Sequence, residues 1–389
     1  MAIRSAIRRA SAAEASAITA SGVRPRPAAN SASRMRASSG SAVATTAGAV
    51  GHASVRRGCP PSIASVGAVS LAISHSPPQS GRAYGGGETP AMQRLGCSGV
   101  SSMVGGVMLL HLRDRTIDAT HRTAVMGILN VSDDSPIAFS RVATSEALDR
   151  ARALAGAGAE IIDIGAHSTS TGGRDLTPDE EAARVAPVIE ACVRDGLLTS
   201  VDTWIPAVAR AAAEAGVHLL NDVTGVTDPA MLAIAVKYRL PACVMHMRGR
   251  PKHHREVDQV YDDINEEVTD FLVERAYALE QAGAGTPWLD PGFGFGKSAT
   301  DNLAMLDGLP ALVAHNYPVL ISASRKGFLA ELMGLSDRQD VEGLLEATVS
   351  FNVLAAAAGA HVVRVHDVVE VFRALSVVNG LRRQRAGLA

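Results

Sequence analysis

Residues able to bind anions, exchange protons or direct hydrogen bonds recur in the C-terminal two thirds of the chain. Each group lies at or just beyond the end of a short apolar run. Asn130 closes the run 124–130, and His167 and Ser168 follow the run 160–165. Asp202 closes 198–202, Asn221 and Asp222 end the run that starts at 217, and His246 and Arg248 end the run that starts at 241. Asp290 closes 286–290, Ser324, Arg325 and Lys326 follow 318–323, and Arg364 and His366 end 361–366. One such residue is an ordinary loop cap; recurrence at eight run ends points to a site. Carboxylate and amide groups together offer both acceptors and donors of hydrogen bonds. An arginine offers directed, charge-assisted donors to an anion. No Ser/His/Asp triad is evident.

The eight runs are near-continuous in apolar residues, as expected of parallel strands covered on both faces. Between them lie amphipathic stretches with helix signals. Thr177-Pro178-Asp179-Glu180 supplies an N-cap, a first-turn proline and a capping-box glutamate. Val185, Val188, Ile189 and Cys192 then mark one face, and Ile264, Val268, Phe271, Leu272 and Leu279 mark a longer stripe. Eight strand–helix units in about 260 residues predict a TIM (β/α)8 barrel spanning 120–385. A doubly wound sheet shares the same local signal but not the count. In a barrel, the polar residues at the strand ends encircle one mouth, the face on which such folds carry their sites.

The first 115 residues differ in kind. From Met1 to Arg113 there are 12 arginines, no lysine and two acidic residues, Glu14 and Glu88. Ala, Ser, Gly and Pro fill most of the remainder, so the segment is expected to be a disordered extension. Its Arg- and Ser-rich character fits an organellar transit peptide; translation from Met92, Met103 or Met108 would remove it and leave a cytoplasmic protein. The whole chain has 389 residues, a formal net charge of -2 and a pI of about 6.6, which favours neither nucleic acid nor a membrane as partner. Cys59, Cys97, Cys192 and Cys243 show no metal-like spacing and read as free thiols.

The residues also carry a family resemblance. Met126-Gly-Ile-Leu-Asn-Val131, Ser200-Val-Asp-Thr203, Asn221-Asp-Val-Thr-Gly225 and Val244-Met-His-Met-Arg-Gly249 are followed by Asp290-Pro-Gly-Phe-Gly-Phe-Gly-Lys297, Ser324-Arg-Lys-Gly-Phe328 and Arg364-Val-His-Asp367. In this order and context the region from about Thr123 to Arg383 resembles the dihydropteroate synthase family of pterin-binding enzymes. That resemblance implies condensation of 6-hydroxymethyl-7,8-dihydropterin diphosphate with 4-aminobenzoate. It implies a pterin pocket formed by Asp202, Asn221, Asp290 and Lys326, lined by Met245, Gly294 and Phe295. It also implies a diphosphate site at Asn130, Ser168, Thr169, Arg364 and His366, with Asn130 holding Mg2+. Asn130, Lys326, Arg364 and His366 are then the catalytic set, Lys297 shapes the Gly-rich turn, and a homodimer forms through outer helices.

Two loops depart from the family pattern. Ser132-Asp-Asp-Ser-Pro-Ile-Ala-Phe-Ser140 stands where the family has a threonine-proline-aspartate-serine-phenylalanine run and an Asp-Gly-Gly turn. In Ala166-His-Ser-Thr-Ser-Thr-Gly172, Ser170 and Thr171 replace an arginine and a proline, and His167 is a candidate substitute donor. Alternatives to the synthase reading are a pterin-binding paralogue that uses another nucleophile or is catalytically silent, and a methyltetrahydrofolate–corrinoid methyltransferase.

Overall fold

The computed structural model describes residues 106–131, 143, 146–166, 176–254, 256–335 and 342–388. Residues 1–105 lie outside this set, as do Ser132 to Ser140, His167, Ser168 and Thr169.

The described chain begins with a small antiparallel hairpin, β1 (Leu109–His111) and β2 (Thr116–Asp118). The boundary drawn from composition at residue 115 falls inside this hairpin. Eight parallel strands follow: β3 (Ala124–Asn130), β4 (Ile161–Gly165), β5 (Thr199–Asp202), β6 (Leu219–Asp222), β7 (Ala242–Met245), β8 (Pro287–Asp290), β9 (Leu320–Ile321) and β10 (Val362–Val365). From β3 to β8 each pairs with the next, β9 pairs with β10, and β10 returns to pair with β3. The seam between β8 and β9 is closed by the Leu289–Val319 bridge, with Leu289 N–H donating to Pro318 C=O at 2.8 Å. Sequential pairing with closure is a (β/α)8 barrel, not a doubly wound sheet.

Strand β9 is shorter than the run 318–323 predicts. Pro318 has no N–H to donate, and Val319 N–H goes to His361 Nδ1 at 3.0 Å instead of to a strand. The ladder therefore starts only at Leu320.

The outer helices are α1 (Ala147–Gly156), α2 (Pro178–Arg194), α3 (Pro206–Glu214), α4 (Pro229–Tyr238), α5 (Ile264–Ala282), α6 (Ala299–Val313), α7 (Gly327–Leu332), α8 (Leu345–Ala357) and α9 (Val368–Arg385). Helix α2 starts as its sequence dictates. Glu180 N–H donates to Thr177 Oγ1 at 3.2 Å, and Thr177 N–H donates to Glu180 Oε2 at 2.9 Å. Its Val185, Val188, Ile189 and Cys192 are buried against the outward residues of the strands, among them Ile162, Ile164 and Val201. No helix among the described residues is long and apolar enough to cross a membrane.

Inside the barrel the strands' N-terminal ends are apolar. Ala124, Met126, Ile161, Leu219, Cys243, Trp288, Leu320 and Val362 form one buried cluster with Leu110, Leu112 and Ile117 of the hairpin. The hairpin is thus a plug for the bottom of the barrel. Asp114 lies 3.6 Å from His218 Nε2, and Arg113 Nη1 donates to Ala213 C=O at 2.9 Å, which ties the hairpin turn to the barrel.

Candidate active site

Two residues further along β4, β6, β8 and β10 the interior changes from apolar to polar or charged. Asp163 from β4, Asp202 from β5, Asn221 from β6, Asp290 from β8 and Arg364 from β10 converge at the strands' C-terminal ends. Arg364 organises this layer. Its Nε donates to Asp163 Oδ2 and its Nη2 to Asp202 Oδ2, both at 2.5 Å, and Nη1 lies 3.4 Å from Ser322 Oγ. Asn221 Nδ2 lies 3.4 Å from Asp163 Oδ2. Burial alone would favour neutral guanidine, but Asp163 and Asp202 hold Arg364 charged and push its pKa above the ordinary value.

The carboxylates are left with unused capacity. Asp163 Oδ1 and Asp202 Oδ1 are buried and accept no hydrogen bond from any protein group among the described residues. Burial raises the Asp202 pKa to about 6 against the pull of Arg364, and raises Asp290 to about 6 against Gly292 N–H and Lys326. An unpaired buried acceptor costs about 1–3 kcal/mol, so this layer is primed for a ligand that brings N–H donors.

Lys326 enters from the loop after β9. Its Nζ lies 3.9 Å from the Phe295 ring centroid, within cation–π range. Gly294 makes room for the lysine stem, since a Cβ there would come within 3.2 Å of Lys326 Cδ, and its φ of +76° suits glycine. Burial, reinforced by Arg364, lowers the Lys326 pKa to about 8, with Asp290 and Asp202 opposing. Met245, Phe295 and Val223 form an apolar cluster with Trp204 and Met247 packed on it. A flat ligand in the polar layer would therefore meet a greasy wall and a cation.

The turn after β8 is held from within by Lys297. Its Nζ donates to the carbonyls of Gly292 at 3.0 Å, His246 at 3.2 Å and Phe295 at 3.3 Å. Gly292, at φ +72°, is irreplaceable there, because a Cβ would fall 2.1 Å from His246 C=O. Arg248 is likewise occupied: it makes a two-pronged ion pair with Glu267 at 2.5 and 2.7 Å and donates to Val260 C=O at 2.8 Å. His246 packs edge-on against Phe271, and burial, with Lys297 beside it, lowers its pKa to about 3.

Of the expected site residues, Asp202, Asn221, Asp290, Lys326, Arg364, Met245, Gly294 and Phe295 lie around this one cavity mouth. His366 stands at its edge, its Nδ1 3.0 Å from Ser324 Oγ. Asn130 ends β3 opposite Gly165, half-buried. Asp163 is the residue that strand-end reasoning passes over. It lies mid-strand, but a carboxylate inside the buried run 161–165 is itself a signal, because such a group needs a partner.

A parallel barrel whose mouth combines buried carboxylates, an amide, an arginine and a lysine beside an aromatic wall defines an enzyme class that binds flat, nitrogen-rich heterocycles. The family model described as "Pterin binding enzyme" matches residues 126–366, and the chain belongs to that family. It is 39% identical over 278 residues to the dihydropteroate synthase of Escherichia coli K12, covering 70% of this chain and 95% of that one. Among solved structures, dihydropteroate synthase from Thermus thermophilus in complex with 4-aminobenzoate shares 39% identity at a TM-score of 0.63, covering 70% of this chain and 99% of that one. The Yersinia pestis enzyme, solved as a sulfonamide drug complex, shares 37% identity at a TM-score of 0.66, covering 71% and 99%.

Proposed function

We infer that this chain acts as a dihydropteroate synthase, joining 6-hydroxymethyl-7,8-dihydropterin diphosphate to 4-aminobenzoate with release of diphosphate. The observation that carries this reading is the pair of unpartnered acceptors, Asp163 Oδ1 and Asp202 Oδ1, in one layer with Asn221, Asp290 and Arg364. A pterin's amino and ring N–H groups supply the donors this layer lacks. Lys326, charged below about pH 8, supplies a donor to the carbonyl and ring-nitrogen edge.

In the reaction, the bond between the exocyclic methylene and the diphosphate oxygen breaks, and its electron pair leaves with diphosphate. The arylamine nitrogen then bonds to the methylene and loses a proton to solvent. Positive charge develops on the pterin as diphosphate departs, and the carboxylates beneath it are placed to stabilise that charge. Such a path needs no covalent enzyme nucleophile. Asn130, Ser168, Thr169, Arg364 and His366 form the diphosphate side in this reading.

Magnesium belongs to the same proposal. No group of three or more His, Cys, Asp or Glu side chains suited to a metal occurs among the described residues. The amide of Asn130 fits an ion that takes most of its ligands from diphosphate and water, and the ion would supply charge to the leaving group. A homodimer is proposed through the neighbouring helices α8 and α9, which expose Leu354, Phe372, Val377 and Leu381; light scattering tests it. The Arg-rich N-terminal segment supports organellar delivery, and N-terminal sequencing of the protein from its native cells separates that from a cytoplasmic start at Met108.

The deciding experiment incubates the protein with the pterin diphosphate and Mg2+, with and without 4-aminobenzoate, and follows products by mass-resolved chromatography. Amine-dependent dihydropteroate is expected. Pterin binding with no amine-dependent product would send the reading to another nucleophile or to a silent paralogue.

A further inference from the structure

Two ties hold the loop after β9 against the loop after β10, and a third anchors it to α8. Arg325, between Ser324 and Lys326, has φ of +54°, a conformation an L-residue keeps only when its surroundings impose it. Its guanidinium grips Asp367 with two parallel bonds, Nε to Oδ2 at 2.8 Å and Nη2 to Oδ1 at 2.6 Å, with the two side chains 7% and 8% exposed. Its backbone N–H donates to Thr348 Oγ1 of α8 at 3.0 Å. One residue earlier, Ser324 Oγ accepts from His366 N–H at 3.2 Å and lies 3.0 Å from His366 Nδ1.

Asp367 occupies the N-cap position of α9, where an aspartate ordinarily accepts from the helix's own amides. Here it caps none of them, and both oxygens face Arg325. A buried ion pair is weak as a source of net stability, because desolvation offsets the attraction. Geometry is what this one supplies: a planar fork fixes orientation as well as distance. The residues on either side of the fork, Lys326 after Arg325 and His366 before Asp367, both reach the pocket.

We propose that Arg325 and Asp367 are positioning residues whose fork sets Lys326 and His366 in the pocket, so that the pair governs pterin binding and turnover without touching the ligand. The proposal rests on reading the pocket as the pterin site. A displacement of about 1 Å at a reacting group can cost on the order of 100-fold, which sets the scale of the effect.

The test compares the full-length protein with the double variant Arg325→Met/Asp367→Leu and with Arg325→Lys. The double variant replaces the pair by apolar side chains that leave no buried charge, and Arg325→Lys keeps the charge but loses the fork. Melting temperature, kcat and KM for the pterin diphosphate, and the pH profile are measured for each. The double variant is expected to melt near the wild type while kcat/KM falls about 10- to 100-fold, with a smaller loss in Arg325→Lys. The basic limb, set near pH 8 by Lys326 among Arg364, Asp290, Asp202, Lys297 and His366, should move alkaline as the lysine relaxes toward solvent.

A folded double variant with wild-type kcat/KM and an unmoved limb overturns the proposal. If the double variant does not fold, wild-type kinetics in Arg325→Lys overturn it alone. Titration with the pterin diphosphate and no amine is read in parallel. If the wild type makes no dihydropteroate, the synthase reading fails, and a matching loss of pterin affinity in the variants still decides the positioning role.

Discussion

The two ends of the barrel interior are built from the same strands and could hardly differ more. Along β4 the inward residues run from Ile161 to Asp163, along β6 from Leu219 to Asn221, along β8 from Trp288 to Asp290, and along β10 from Val362 to Arg364. Residues i and i+2 share a face and lie about 6.6 Å apart along a strand. Within that distance the interior passes from a dry plug of Leu110, Ile117, Met126 and Trp288 to an array of paired charges. The bottom is where burial stabilises the fold. The mouth is where buried acceptors and a lysine with lowered pKa are tolerated because a ligand will meet them.

If that division holds, Arg364 is its strongest exception, because it serves both ends of the argument. Arg364→Met leaves Asp163 and Asp202 buried without their cation, a loss of about 3–5 kcal/mol in stability for a broken buried pair. Turnover should fall by at least about 1,000-fold as well. Chemical denaturation and steady-state kinetics on the same sample check both. Lys326→Ala is the cleaner break. It removes the donor that the proposed reading gives to the pterin and is expected to cost about 100- to 1,000-fold in kcat/KM. Its melting temperature should stay close to the wild type, since a buried lysine with a depressed pKa adds little to stability. A Lys326→Ala protein with unaltered kcat/KM would remove the lysine from the mechanism.

Most of the plan of this molecule is legible in the sequence, for a physical reason. Parallel strands buried on both faces must be apolar throughout, so any polar residue at a strand end stands out, and eight such ends define a ring. The run 124–130 and the capping box at Thr177 and Glu180 appear in the structure as read. What the sequence hides depends on partners distant in the chain. Asp163 reads as a strand residue until Arg364, 201 positions later, is seen to hold it. Arg325 and Asp367 read as motif letters until the fold brings together these two positions, 42 apart in the chain. Strand β9 falls short of its apolar run because the ring of His361 intercepts the Val319 amide, a side-chain competition that apolar pattern does not encode.

The bottom of the barrel gives the opposite signature to Lys326. Leu110→Ala opens space in a plug whose cover is only a two-stranded hairpin that can partly collapse. The cost expected is about 2–3 kcal/mol, in the lower part of the range for buried leucines. Thermal melts should show the loss, while kcat for the pterin diphosphate stays within about twofold, because no residue of the plug reaches the pocket. A larger fall in kcat than in stability would mean that the hairpin tunes the mouth, and the division between the two ends would be wrong.

The smallest effect concerns protons, and its sign separates buried histidines from buried carboxylates. His361 at the bottom is buried and stays neutral to about pH 4, accepting from Val319 N–H. The unfolded chain protonates such a histidine near 6.5. Between those values the unfolded state binds more protons, so stability falls as pH falls, by up to about 1.4 kcal/mol per pH unit. Burial lowers His218 in the same direction, and at the mouth it lowers His246 and His366 to about 3. At the mouth, Asp202 and Asp290 are raised to about 6 against an ordinary carboxylate near 4, so the folded state binds more protons there and stability rises as pH falls from about 6. Over this range the buried histidines and the raised carboxylates oppose each other. His361→Asn, which keeps an acceptor for Val319, removes one of these histidines and should therefore make stability fall less than in the wild type on acidification from pH 7 to 5. Asp290→Asn should do the reverse, steepening the loss below pH 6. Denaturant titrations of both variants at pH 7, 6 and 5 measure the slopes, and an unchanged slope in His361→Asn would show that this histidine is already protonated in the fold.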